Sequence, residues 1–273
     1  MTPTVVKAYH AGAFREFERH SRVGAVDEEA FLRRVEELRQ AGARFIFLKT
    51  GAYRPADLAL AVKLASEARL DLLTVDGAGG GTGMSPWRMM NEWGVPTVYL
   101  QGLLTRYLDR LAAKGRYVPP VAIAGGFSLE DHIFKALAIG APHVKVVGMA
   151  RALLTAAMVG KTVGLSLLEG RAVPEYERYG DHLEQVFVGA VELKNLLGEE
   201  DFQRLPVGAI GVYNYFERLA QGLRQLMCGA RKFALKYLTR DDVAALTPEA
   251  ASITGVKYIM EVDAEEAERI LDF

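Results

Sequence analysis

Three glycine-bearing junctions carry the residues best suited to chemistry in this chain. They are VDGAGGGTGMSP at Val75–Pro86, VAIAGGFSLED at Val121–Asp131 and VKVVGMAR at Val144–Arg151. The first follows the apolar run LDLLTV and presents Asp76, then five glycines within seven residues, with Gly80, Gly81, Thr82 and Gly83 in succession. The second holds Gly125 and Gly126, and the third holds Gly148 with Arg151 close behind. Glycine lets backbone amides approach a ligand closely and lets successive N–H groups line one concavity. Loops of this kind at strand ends suit an anionic or planar ligand, and an arginine beside them suits a phosphate. A fourth strand end, FLKTG, carries Lys49, a compact point of positive charge. Each feature also has a plainer reading: a surface turn, a solvated lysine, a turn-capping Asp76, a surface Arg151. Three such loops ending consecutive apolar strands favour a shared site.

The elements that position these residues follow from periodicity. Apolar runs begin near Phe45 (FIFLKT), Asp71 (DLLTVDG), Thr97 (TVYL), Val121 (VAIAGG) and His143 (HVKVVG), about 22–26 residues apart, the length of a strand–loop–helix unit. Between them lie helical patterns. DEEAFLRRVEELRQAG opens on Asp27 as N-cap, sets Phe31, Val35 and Leu38 on one face and stops at Gly42. PADLALAVKLASEA places Pro55 in a first turn, and SLEDHIFKALAIG pairs Ser128 with Asp131 as a capping box and ends at Gly140. Continuous rather than alternating apolar strands indicate a parallel sheet covered on both sides. The expected fold class is α/β, of the (β/α) TIM-barrel type. It is present as roughly half a barrel, because a closed barrel needs eight strands and the sequence offers four clear ones plus the short TVYL.

From about Leu165 the character changes. GLSLLEGRAVPEYERYGDH reads as a linker, followed by helical HLEQVFVGAVELKNLLG and VYNYFERLAQGLRQLMCGARKFALKYL, the latter with Phe216, Leu219, Leu223 and Leu226 as core positions. The expected division is a partial barrel over 1–165 and a linker with a helical region over 166–273. Of 273 residues, 50% are hydrophobic and 25% charged, with a net charge of -1, which gives no basis for nucleic-acid binding. No apolar run reads as reaching the ~18 residues of a membrane span, and no signal segment opens the chain, so the expectation is a cytoplasmic protein without membrane partners. A lone Cys228 excludes an internal disulfide and reads as a buried small hydrophobe. His132 and His143 read as structural, and Trp87 and Trp93 as packing residues.

The segments FLKTGAYRPADLALAVKLASEARLDLLTVDGAGGGTGMSPWRMMNEWGVPTVYL and IAGGFSLEDHIFKALAIGAPHVKVVGMARAL resemble the FMN-binding domain of glutamate synthase. The likeness is strongest to the stand-alone FMN-binding glutamate synthase-like proteins, and LPVGAIGVYNYFERLAQGLRQLMCGARKF is similar to the helices that follow the barrel there. The resemblance implies a barrel with FMN at the strand C-termini, in which the strands near Phe45, Asp71, Val121 and His143 are the fifth to the eighth. It implies that Lys49 lies beneath flavin and 2-oxo acid. Asp76, read from its own place at a strand end, is a second catalytic candidate whose carboxylate would contact ligand or orient a neighbour. Gly80, Gly81, Thr82 and Gly83 would border flavin and substrate, Gly125 and Gly126 form one phosphate loop, and Gly148 and Arg151 the other. The implied activity is an oxidoreductase acting on CH–NH2 donors, which reduces a 2-oxoglutarate-derived imine in glutamate biosynthesis with electrons from an external donor. Met1-Thr2 offers no N-terminal nucleophilic cysteine, and TAAMVGKTVGLSLLEG lacks cluster-binding cysteines, so neither a glutaminase domain nor an iron–sulfur cluster is expected. The absent first barrel half supports alternatives. One is a non-catalytic truncated or split-gene fragment that needs the missing half in trans or self-associates. Another is a flavin-barrel oxidoreductase with a different substrate.

Overall fold

Short β-rich runs alternate with amphipathic helices, and the chain folds accordingly as α/β. The computed structural model describes residues 3–11, 27–52, 54–80, 92–171 and 174–273. It forms two units, Met1–Ile46 and Phe47–Phe273. The first contains α1 (Pro3–His10) and α2 (Glu28–Gln40). Asp27 caps α2 as expected, its carboxylate accepting from the Ala30 N–H at 2.7 Å.

The second unit runs β1 (Phe47–Thr50), α3 (Pro55–Glu67), β2 (Leu72–Asp76), α4 (Thr97–Ala113), β3 (Val121–Ala124), α5 (Glu130–Ile139), β4 (Val144–Gly148) and α6 (Arg151–Leu168). The four strands form one parallel sheet in chain order, β1-β2-β3-β4. Each crossover carries a helix, as parallel neighbours require. This is a partial TIM-type barrel followed by a helical region. One face of the sheet is covered: α3 packs on β1 and β2, α5 on β4, and α4 on both of those helices. Leu73, Val75 and Ile123 on that side are fully buried, as are Leu100, Leu104 and Leu108 of α4. Burying one such side chain stabilises by about 1.5–3 kcal/mol.

Among the described residues the other face is covered at its centre, where Asp76 and Ala122 are buried, but not at its edge strands, which departs in part from the expectation of a sheet covered on both sides. Register partners in a parallel pair share a face, so Phe47, Lys49, Leu72, Thr74, Asp76, Ala122, Ala124, Val146 and Gly148 lie together. On this face Phe47 is 62% exposed and Val146 is 48% exposed. In a closed barrel these positions would form the interior.

Several local expectations are corrected. TVYL is not a strand but the first turn of α4, because its apolar residues continue at helical spacing through Leu100, Leu104 and Leu108, and Pro96 sits at the N-cap. The Ser128 capping box does not form. Leu129 occupies the N-cap of α5, and the Ser128 N–H donates to His132 Nδ1 at 3.3 Å. Trp93 and Cys228 are exposed rather than packed. Of the four core positions expected in the long C-terminal helix, Leu219 is buried while Phe216 and Leu226 are exposed. Helix α6, with 18 residues and a mean hydropathy of 1.3, is long and apolar enough by composition alone to span a membrane, and here it packs along the later helix Val207–Gly229.

Downstream come α7 (Leu183–Val186), α8 (Gly189–Leu197), α9 (Glu199–Arg204), α10 (Val207–Gly229), α11 (Pro248–Thr254) and α12 (Ala264–Leu271). Helix α10 packs along α6, and a small core of Val163, Phe187, Ala190, Leu193, Phe202 and Ile210 gathers beneath them. Beside this core Lys194 Nζ lies 2.8 Å from Glu184 and 2.9 Å from Glu199. The hydrogen bonds to Lys194 hold both carboxyls below their ordinary range, and the same bonds hold the ammonium above its own. The carboxylates therefore contribute stability that is present above pH 4.5 and fades as pH falls through their depressed values. The lysine's contribution is present below pH 10.5 and is lost as pH rises beyond its raised value. Lys194→Ala should lower the urea midpoint at pH 7, and the deficit should shrink at pH 3. An equal deficit at both pH values would show that the lysine acts through its aliphatic stem alone.

Candidate functional site

The C-terminal ends of the four strands bring Lys49, Asp76, Gly125, Gly126 and Gly148, all predicted from the sequence, to one edge. Lys49 is the third residue of β1 and Asp76 the last of β2, both on the open face, and Lys49 Nζ lies 2.8 Å from Asp76 Oδ2. The lysine side chain is 48% exposed while the carboxylate is 7% exposed. A sequestered carboxylate thus aims a solvent-facing ammonium over the sheet edge. On β3 and β4 the same face carries only Ala122, Ala124, Val146 and Gly148. A Cβ on Gly148 would stand 3.1 Å from the Ala124 Cβ, so the floor beside the charged pair is largely backbone. A flat group can lie there against peptide planes, next to a fixed positive charge.

The loops after β2 and β3 are packed backbone to backbone. The Gly77 N–H donates to the Ala124 carbonyl at 2.8 Å, and the Gly80 N–H to that of Gly77 at 3.0 Å. A Cβ on Gly80 would meet Gly125 Cα at 2.6 Å and Asp76 Oδ1 at 2.7 Å. Gly125 has φ +125° and would bring a Cβ to 2.3 Å from the Thr97 hydroxyl. Gly80 and Gly125 are therefore filled by the protein's own atoms. Gly126, at φ +83°, is the more open of the pair: a Cβ there would meet the Gly79 carbonyl oxygen at 3.4 Å as its nearest neighbour. Gly81, Thr82 and Gly83 lie outside the described residues, as does Trp87.

Arg151 opens α6 immediately after the β4 loop, and its guanidinium donates to the Gly79 carbonyl. It thereby bridges the first and third glycine junctions. The first N–H groups of α6 have no intrahelical partners, and together with Arg151 they make this corner favourable for an anion.

Three contributors were not legible as site residues. Thr97 reads as part of an apolar run, yet its hydroxyl lies 2.7 Å from the Gly125 carbonyl oxygen and 3.1 Å from that of Ala78. Val95 donates to the Ala52 carbonyl and accepts from the Ala78 N–H, joining the segments that follow β1 and β2. Tyr215 of α10 donates its hydroxyl to the Ser128 carbonyl beyond the β3 loop. Burial, with Glu130 nearby, holds its phenol above the ordinary range. The run of glycines signalled Gly79 but not its engagement by Arg151. His143, expected to be structural, bonds Asp109 at 2.8 Å, and Arg240 reaches the same carboxylate.

A cavity of about 250 Å3 lies elsewhere, among α6, α7, α8, α9 and α10, walled by Leu167, Leu183, Phe202 and Ile210. Its charged rim is already satisfied by the Glu184–Lys194–Glu199 network, and none of the strand-end residues lines it. Among the described residues no cluster of His, Cys, Asp or Glu could hold a metal ion.

The family model for the conserved region in glutamate synthase matches residues 20–160. No curated protein matches the chain. The matched stretch takes in β1 to β4, Lys49, Asp76, all three glycine junctions and Arg151. Since that match spans just over half of the 273 residues, the chain belongs to the glutamate synthase family.

Proposed function

We propose that this chain is an FMN-dependent oxidoreductase of the glutamate synthase type. In this reading residues 1–165 supply the flavin-binding part and 166–273 a supporting helical region. The observation that carries the reading is the sheet edge itself: a Lys49–Asp76 pair beside a floor of alanine, glycine and backbone, flanked by the β3 and β4 loops. The fit to a flavin rests on that floor, because larger side chains at Ala124 and Gly148 would fill the space a ring needs. Gly126 and Arg151, with the first turn of α6, would hold the phosphate, in the loop positions where barrels commonly bind one. Gly81, Thr82 and Gly83, which lie outside the described residues, would border the ring and the substrate.

When bound, the flavin supplies two-electron reduction of a 2-oxoglutarate-derived imine, after an external donor has reduced it. The protein's part is positional and electrostatic. Lys49 would meet the substrate carboxylate or the anionic edge of the cofactor. Asp76 would act through Lys49, holding the ammonium in position. Covering the open edge excludes water and strengthens both interactions.

One observation favours a second reading. The sheet ends at β4, where Val146 is exposed on the open face. A further set of βα units, from another chain or a second copy, would complete the barrel, and this chain would then be half of a complex. Calorimetric titration with FMN and with riboflavin tests the flavin reading, and light scattering on the same sample gives the assembly state.

A further inference from the structure

We infer that Thr97 is a positioning residue, and that its hydroxyl holds the β2 and β3 loops at the separation the flavin-facing edge requires. The inference rests on the flavin reading for its functional consequence but on geometry for its substance. Thr97 opens α4, directly after Pro96, at the point where the chain returns from the first glycine junction. Its Oγ1 lies 2.7 Å from the Gly125 carbonyl oxygen and 3.1 Å from that of Ala78, so one O–H is shared between the loop after β2 and the loop after β3.

The surrounding residues are shaped to that oxygen. A Cβ on Gly77 would fall 2.2 Å from Thr97 Oγ1 and 2.6 Å from Thr97 Cα, and a Cβ on Gly125 would fall 2.3 Å from the same oxygen. Gly77 and Gly125 therefore make room for an internal hydroxyl rather than for a ligand. The ligand-facing task is left to their neighbours, Gly79 and Gly126, which approach one another across the junction. The Gly79 carbonyl is in turn engaged by Arg151, so adjacent carbonyls at 78 and 79 are each held by a side chain from a later element. The separation of Gly79 from Gly126 then depends on whether the Thr97 oxygen stands between the loops. Valine has nearly the shape of threonine but no donor, and it would leave the half-buried Gly125 carbonyl without its partner.

The test uses the full-length chain with Thr97→Val and Thr97→Ser, and has two readouts. Amide hydrogen exchange without flavin should show Gly77 and Ala78, whose N–H groups bond Ala124 and Val95, opening about tenfold more in Thr97→Val. Thr97→Ser, which keeps the hydroxyl, should stay within about twofold of the parent. FMN affinity should fall in parallel, by about tenfold for the valine variant, while far-ultraviolet circular dichroism is unchanged. Unchanged exchange in Thr97→Val would overturn the inference, and so would equal loss in both variants, since the hydroxyl would then not be the acting group. If the parent chain takes up no FMN, the flavin reading fails, and the exchange comparison still decides the role of Thr97.

Discussion

Gly125→Ala should be among the most damaging single substitutions in this protein, lowering stability by about 2–6 kcal/mol. That range adds ~1–3 kcal/mol for a side chain held in a left-handed region to ~1–3 kcal/mol for overpacking. The backbone there has φ +125°, and the new methyl would stand 2.3 Å from Thr97 Oγ1 and 2.7 Å from both Gly77 N and Gly77 O. Two of those three atoms are backbone, in a loop whose amide is bonded to Ala124, so the clash cannot be relieved by a rotamer change. Gly126→Ala is the matched control. It shares the strain of a positive φ, at +83°, but the nearest atoms its methyl would meet are those of Gly79, the carbonyl oxygen first at 3.4 Å. It should therefore cost stability only through strain, about 1–3 kcal/mol. Urea denaturation of both variants checks this. Equal midpoints for the two would mean that the loops are not packed as described.

Lys49→Met should leave the chain folded and reduce turnover by about 10²–10³-fold, the range found when one preorganised electrostatic partner is removed from a reacting centre. Methionine keeps the length of the lysine stem and removes the ammonium. The structural loss is moderated because Lys49 is 48% exposed, although the carboxylate it faces is 7% exposed. The assay is anaerobic: the flavin-loaded protein is reduced, 2-oxoglutarate and an ammonium salt are added, and return of the oxidised flavin absorbance is followed. Asp76→Asn should show a smaller loss, chiefly in kcat, because an amide at that position still orients the lysine without neutralising it. If Lys49→Met reoxidised at the parent rate, Lys49 would have no part in the reaction.

The sheet was readable from the sequence for a physical reason. Strands buried on the helix side, such as β2 and β3, are short unbroken apolar runs, and their spacing by whole βα units admits few topologies. Order, direction and the edge at which Lys49, Asp76 and the glycines gather all follow from that. What escaped was governed by tertiary contacts that local pattern does not encode. TVYL has strand-forming residues, yet burial of Leu100, Leu104 and Leu108 along one face made it helical. Ser128 has the spacing of a cap, but its amide is taken by His132 and its carbonyl by Tyr215, from a helix far along the chain. The glycines were legible as a group, whereas the division between those facing inward and those facing the edge depends on where Thr97 sits. Nothing in the order of residues signals that hydroxyl.

Calorimetry with FMN and with riboflavin decides whether the C-terminal edge of this sheet is the flavin mononucleotide site we propose. The two ligands share the ring and differ by the phosphate, which is the group assigned to Gly126, Arg151 and the start of α6. Charge-assisted hydrogen bonds contribute about 1.5–3 kcal/mol each, so FMN should bind at least about tenfold more tightly than riboflavin. The difference should narrow for Arg151→Ala and in high salt. Equal affinity for the two ligands, or no binding of either, would contradict the account.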